Sequence, residues 1–293
     1  MSAFVKFWGT RGSIPTPGSW TRVYGGNTSC VEVRFDDHVF ICDAGSGIRE
    51  LGKNLVERNL EQKVLHLFIT HTHWDHIQGF PFFIPAHVPD FQIYLYGTTG
   101  DDTSRYRLIS GQMTSAYFPV DFGDLKARVI ADIIEEEGKV INGTNVKCFP
   151  TNHPGGCFGY RFENGGRSIA YVTDNEIPLT DDDTFPDPES KGVLRAMPKD
   201  LLDAVANVDL MIIDSQYDDL QYAEHIGWGH TSCFSATDLG IQAGVKAMAL
   251  FHHDPECSDE EVDRKVESCR ERAEKFGSEL VVFAAREGVE LKI

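Results

Sequence analysis

The chain has 293 residues, 41% of them hydrophobic and 25% charged, the make-up of a soluble globular protein with length for one large core, so a single domain over 1–293 is expected. Its formal net charge of −18 argues against a long nucleic-acid partner, since that affinity rests largely on Lys and Arg neutralising phosphates; a local basic pocket stays open. Met1 to Thr10 lacks the apolar core of a signal peptide and no apolar run reaches spanning length, which makes the cytoplasm the expected location and excludes a membrane partner.

Phe4 to Trp8 reads as a short strand, followed by a Gly- and Pro-punctuated loop from Gly9 to Gly18. Val31 to Phe35 and Val39 to Cys42 read as a hairpin turning at Asp36-Asp37. Asp43-Ala44-Gly45-Ser46-Gly47 then leads into an amphipathic helix near Ile48 to Arg58; its small residues suit either close approach to a neighbouring site or a plain strand-to-helix turn. Val64 to Ile69 is an apolar run of buried-strand length, and it empties into His71, His73, Asp75 and His76. In extended chain His71 and His73 point the same way while the adjacent Asp75 and His76 diverge, so each pair could serve its own metal.

Phe91 to Tyr96 is a further strand and Asp101 to Thr114 a helix; the aromatic connector Ser115 to Val120 suits either a pocket lining or the core, and the core is expected. Val129 to Ile134 and Val140 to Phe149 fit strands, with Asn142-Gly143 as a tight turn. The strand Val146 to Phe149 is followed by His153, and Ser168 to Val172 by Asp174, so each apolar strand again leads to a metal-ligand type. Residues 175–199 are polar, acidic and Pro-containing, read as an inserted lid or as disorder. Val208 to Ile213 ends in Asp214, and Gly229-His230-Thr231-Ser232 precedes a helix from Cys233 to Ala243 capped by Thr231 or Ser232. Lys246 to Phe251 delivers His252 and His253, only one of which can readily face inward from extended chain. Ser258 and Glu261 form the capping box of a helix to Phe276, and Leu280 to Ala285 is the closing strand. The seven cysteines show no Cys-x-x-Cys pair, so neither a disulfide framework nor a thiolate zinc site is indicated.

The pattern His71-x-His73-x-Asp75-His76, with Gly79, resembles the signature of the metallo-β-lactamase superfamily. That resemblance implies an α/β fold, the four-layer αββα sandwich of two facing mixed sheets with outer helices, and a binuclear metal site at strand ends. It implies His71, His73 and His153 for one metal, Asp75, His76 and His253 for the other, and Asp174 bridging. The superfamily order selects His253 and leaves His252 behind it or exposed. Imidazole and carboxylate ligands without thiolate suit two divalent ions, zinc first, manganese or iron as alternatives.

Gly9-Thr10-x-Gly12-x-x-Pro15, Asn27-Thr28-Ser29, Asp43-x-Gly45, Pro81, Asp214, Gly229-His230-Thr231 and Leu250-x-x-His253 together look like the ribonuclease Z group of phosphodiesterases. In that group an acid at the place of Asp214 pairs with a His at the place of His230 to assist the leaving oxygen; Asp75, Asp214 and His230 are therefore the expected catalytic set. Two departures stand out: Asp214 replaces a Glu, and the stretch from His153 to Asp174 is too short for the tRNA-gripping arm of ribonuclease Z. A hydrolase of small phosphodiesters, such as cyclic nucleotides or cyclic phosphates, is the leading expectation. A ribonuclease or other nuclease without the arm and a lactonase-type carbonyl hydrolase are the alternatives, with a non-enzymatic metal-stabilised module behind them. The branch commonly forms homodimers, so the resemblance leaves a homodimer open, with no interface read in the chain itself.

Overall fold

β1 (Ala3–Gly9) alternates buried and half-buried residues along its whole length, the period-two pattern of a strand with one face in the core. The computed structural model describes residues 2–58, 60–98, 102–135, 137–178 and 193–293. Their contacts group into two compact units, residues 1–148 with 286–293 and residues 149–285.

In the first unit β1 is followed by β2 (Cys30–Phe35) and β3 (His38–Cys42), the expected hairpin, and by helix α1 (Ile48–Glu57). Next come β4 (Val64–Phe68), the single-turn helix α2 (Trp74–Ile77), β5 (Gln92–Thr98), α3 (Asp102–Gly111), β6 (Arg128–Ile134) and β7 (Lys139–Ile141). The seven-stranded sheet of this unit runs in the order β14-β1-β2-β3-β4-β5-β6, where β14 is Glu290–Lys292, a strand the sequence did not signal. β3, β4, β5 and β6 are parallel neighbours and the rest antiparallel. Ile48, Leu51 and Leu55 on α1 join Leu65, Leu67, Phe80 and Phe83 in the core. The aromatic connector is split: Phe118 and Val120 pack on that core, whereas Tyr117 is 77% exposed.

β8 (Thr144–Thr151) carries the unit boundary, and it pairs with β7 through Asn142 and Gly143, both at positive φ as a two-residue hairpin turn demands. The second sheet has the order β13-β12-β11-β10-β9-β8-β7. Its remaining strands are β9 (Cys157–Asn164), β10 (Arg167–Val172), β11 (Leu210–Asp214), β12 (Ala247–Phe251) and β13 (Val281–Ala284). β10 to β13 are parallel, and β11 is buried at all five positions, as strands covered on both faces should be. Helices α4 (Lys199–Val205), α5 (Asp219–Glu224), α6 (Cys233–Gln242) and α7 (Asp259–Lys275) complete the unit. Ser232 caps α6, and Ser258 with Glu261 forms the predicted box on α7. α4 and α5 went unread in the sequence, being short and without strong periodicity.

Two mixed sheets of seven strands with helices are thus observed, as the fold expectation required. All seven cysteines are free, six of them buried. Of the lid expected at 175–199, residues 179–192 lie outside the described residues. Its opening is no surface loop: Asn175, Glu176 and Ile177 are buried.

Candidate metal centre

In the first unit, buried β4 delivers Thr70 and His71 to the sheet end. His73 then takes an extended conformation at the N-cap of α2, and Asp75 and His76 fall within the single helical turn. Helix geometry overturns the divergence expected of extended chain. Asp75 Oδ2 lies 3.2 Å from His76 Nε2, and the His71 ring centroid lies 4.2 Å from that of His76 and 4.5 Å from that of His73. Three imidazoles and a carboxylate therefore gather at this strand end, His71 beside His73 and Asp75 beside His76, the pairing the sequence suggested.

Asp43 organises this group. It accepts from Thr70 N at 2.9 Å and Thr70 Oγ1 at 3.0 Å, and its Oδ2 holds His76 Nδ1 at 2.8 Å, all fully buried. Asp75 Oδ2 accepts from Ser13 N at 2.8 Å, which employs the Gly12-x-x-Pro15 loop. The Asp43-x-Gly45 loop does approach its neighbour closely: a Cβ on Gly45 would stand 2.2 Å from Asp75 O, and one on Gly79 would stand 2.1 Å from Gly45 O.

In the second unit, His153 Nδ1 donates to Gly229 O at 2.9 Å, and its Nε2 lies 3.7 Å from Asp174 Oδ2. The other Asp174 oxygen accepts from Thr173 Oγ1 at 2.8 Å and lies 3.3 Å from His252 Nε2. His230 Nδ1 is held by Asp214 Oδ2 at 2.7 Å, and Asp214 Oδ1 accepts from Gln216 N at 2.9 Å. His252 Nδ1 donates to Gln216 Oε1 at 2.9 Å. The amide orientation is fixed because Gln216 Nε2 donates to Tyr217 Oη and Asp254. Asp174, Asp214, His230 and His252 each offer a ligand-type atom within 4.8 Å of the others, a buried set able to hold a metal ion.

One regularity runs through both units. His71, His76, His153, His230 and His252 all bond through Nδ1, to Thr70, Asp43, Gly229, Asp214 and Gln216 respectively. A partner on Nδ1 is how proteins fix the ring of a metal-binding imidazole, leaving Nε2 as the coordinating nitrogen. The donor set therefore fits divalent cations. His253 breaks the pattern: its Nε2 is on Ala285 O at 3.0 Å. The selection of His253 is corrected accordingly, and His252 is the histidine brought to Asp174. The cause is local, since His252 has φ +59°, and a left-handed residue straight after β12 upsets the alternation that extended chain would impose.

Sequence reasoning missed Glu176. Its buried carboxylate accepts from Tyr222 Oη and Gly227 N at 2.9 Å on one oxygen, and from Gly229 N at 2.9 Å on the other. It thereby pins the loop that supplies Gly229 O to His153. A Cβ on Gly229 would lie 2.2 Å from His153 Nδ1, so the glycine is obligatory there. Asn175 Nδ2 and Thr231 Oγ1, next in sequence to Asp174 and His230, are buried with no hydrogen-bond partner among the described residues. Such atoms cost about 1–3 kcal/mol each until something satisfies them. Nothing in the pattern of residue types distinguishes these positions from ordinary loop residues.

The family model described as the β-lactamase superfamily domain matches residues 38–253, and the chain belongs to that superfamily as a hydrolase of the metallo-β-lactamase fold. The chain is 23% identical to a protein named ribonuclease Z from Haloarcula marismortui, covering 100% of this chain and 97% of the relative. A diphosphatase of the PhnP family has the same fold with TM-score 0.67 and 16% identity, covering 100% of this chain and 98% of that one. Yeast PDE1 does so with TM-score 0.68 and 14% identity, covering 100% and 99%. No described helix is long and apolar enough to cross a membrane.

Proposed function

We propose that the protein hydrolyses small phosphodiesters, cyclic nucleotides or cyclic phosphates among them, with two divalent metal ions, zinc being the best match to the donors. The residues that would hold them are His71, His73, Asp75 and His76 in the first unit and His153, Asp174 and His252 in the second. The observation that carries the reading is the Nδ1 anchoring shared by His71, His76, His153 and His252 among these ligands, and by His230 beside them. When bound, two such ions bring a water's pKa near neutrality and offset charge on phosphoryl oxygens.

What remains for the protein is the leaving oxygen. His230 is the proposed general acid: Asp214, fully buried, holds its Nδ1 at 2.7 Å and so leaves Nε2 as the nitrogen turned to substrate. Thr173 Oγ1 donates to Asp174 at 2.8 Å and orients its carboxylate.

The name of the relatives favours a nuclease as the second reading. Against it stand the net charge of −18 and the connection from His153 to Asp174, which is only the β9–β10 hairpin with no arm to grip RNA. The test is His230→Ala on two esters. Loss of a general acid should cost about 10²- to 10⁴-fold in rate on a cyclic nucleotide, which expels an alkoxide, and far less on bis(p-nitrophenyl) phosphate. Metal content should hold. Equal losses on both esters, or loss of metal, would make His230 a ligand or a structural residue.

A further inference from the structure

The loop between α5 and α6 combines three features that are costly unless used. Trp228 is 61% exposed and Ile226 64% exposed. The two glycines flanking Trp228, Gly227 and Gly229, both sit at φ +87°, so the indole is presented on a sharply turned backbone. That backbone is not free to collapse, because the buried Glu176 carboxylate holds the amides of both glycines. An indole held in water on a mount this constrained keeps one geometry and is available to a ligand.

The ring is also joined to the centre by an aromatic series within the same unit. Tyr217 meets His230 edge-on at 6.0 Å between centroids, His225 stacks on Tyr217 at 4.6 Å and 19°, and Trp228 meets His225 edge-on at 4.7 Å. Trp228 is two residues from His230, about 7 Å of chain at most. The indole and the His230 imidazole are thus mounted on one short stretch of backbone. The chain's acidity excludes a polyanion as occupant, and a flat, neutral π-face suits any base without reading its edge.

We propose that Trp228 is a specificity residue, the platform on which the nucleobase of a mononucleotide phosphodiester stacks while His230 faces its leaving oxygen. The proposal rests on the phosphodiesterase reading above, and it names the substrate class: esters carrying a planar base, over alkyl or sugar phosphates.

The experiment compares two substrates with the same leaving group, thymidine 5′-(p-nitrophenyl phosphate) and methyl p-nitrophenyl phosphate, on the metal-loaded wild type, Trp228→Ala and Trp228→Phe. Alanine should narrow the ratio of the two KM values about 5- to 150-fold, the range for one base–aromatic stack, and phenylalanine should restore most of it. A ratio unmoved by Trp228→Ala overturns the proposal, as does a change from dimer to monomer with the ratio intact, which would make the indole a subunit contact. Calorimetric binding of adenosine 5′-monophosphate against ribose 5-phosphate separates this failure from that of the reaction itself. If wild type cleaves neither ester, the phosphodiesterase reading falls. A wild-type preference for the adenosine ligand that Trp228→Ala abolishes would still support the platform, and no preference would end it.

Discussion

Alanine at His252 and at His253 should give opposite results, although the two residues are adjacent and both are 1% exposed. At His253 the change removes the Nε2 bond to Ala285 O and leaves a buried void. One net hydrogen bond of about 1 kcal/mol plus a large-to-small term puts the cost at about 2–4 kcal/mol of stability, with metal content retained. At His252 the change removes the imidazole 3.3 Å from Asp174, and at least one metal should leave. His252→Gly adds an internal control. The native φ of +59° costs a residue with a Cβ about 1–2 kcal/mol, and glycine almost nothing. The glycine variant should therefore unfold about 1 kcal/mol harder than the alanine variant when both are measured metal-free, while both show the same metal deficit. Elemental analysis and urea denaturation at matched metal content read the two effects. Metal lost from His253→Ala and kept in His252→Ala would refute the assignment, and alanine as stable as glycine at 252 would refute the account of why the chain turns there.

Gly79→Ala should destabilise by about 3 kcal/mol or more, because its Cβ would meet the backbone oxygen of Gly45 at 2.1 Å, whereas Gly111→Ala, with nothing within 4 Å, should be neutral or stabilising; urea midpoints decide. Burial lowers the pKa of His66 to about 4, its Nδ1 being 3.0 Å from Tyr96 Oη, so the unfolded chain binds the extra proton. Stability from this residue is full above about pH 6.5 and is lost as pH falls towards 4, by about 3 kcal/mol, a slope that His66→Phe should remove from pH-dependent denaturation curves. Small phosphodiesters should be turned over and structured tRNA precursors left intact, and tight tRNA binding that falls steeply with salt, with 3′ cleavage, would overturn the preference.

The architecture was legible because its signals are local and redundant. Apolar runs such as Leu65 to Phe68 and Met211 to Ile213 fit buried parallel strands, Asn142-Gly143 fits only a tight hairpin, and Ser258 with Glu261 announces α7. The residues that orient the ligands were not legible in the same way. Asp43, Gln216 and Glu176 act through contacts 33, 36 and about 50 positions away, which no local pattern encodes. Glu176 was further concealed by its acidic neighbourhood, which reads as surface until the fold shows its carboxylate under three backbone and side-chain donors. The divergence expected of Asp75 and His76 failed for another reason: it assumed that the strand continues past Phe68, and α2 begins at Trp74.

The same assumption failed at His252, where the cause is a left-handed residue and not a helix. Asp43, Asp174 and His252 follow β3, β10 and β12 within two residues, and all three have positive φ, at 62°, 45° and 59°. Asp, Asn and His are the non-glycine residues enriched in this region, and all three positions carry one of them. A left-handed residue abolishes the period-two rule at the point where a strand hands over to its loop, so alternation is a sound guide inside the strand and a poor one beyond it. Strain of about 1–3 kcal/mol per site persists only where the surroundings hold it in place. They do so here: Thr70 and His76 hold Asp43, Thr173 bonds Asp174, and Gln216 holds His252 while its own carbonyl accepts from the buried Lys265 at 2.5 Å. Three strained residues in two sheets, each bonded to a candidate ligand or itself one, are hard to account for by folding alone. Left-handed backbone therefore recurs at the strand ends where the candidate ligands gather, and it is there that alternation stops predicting which side chain faces inward.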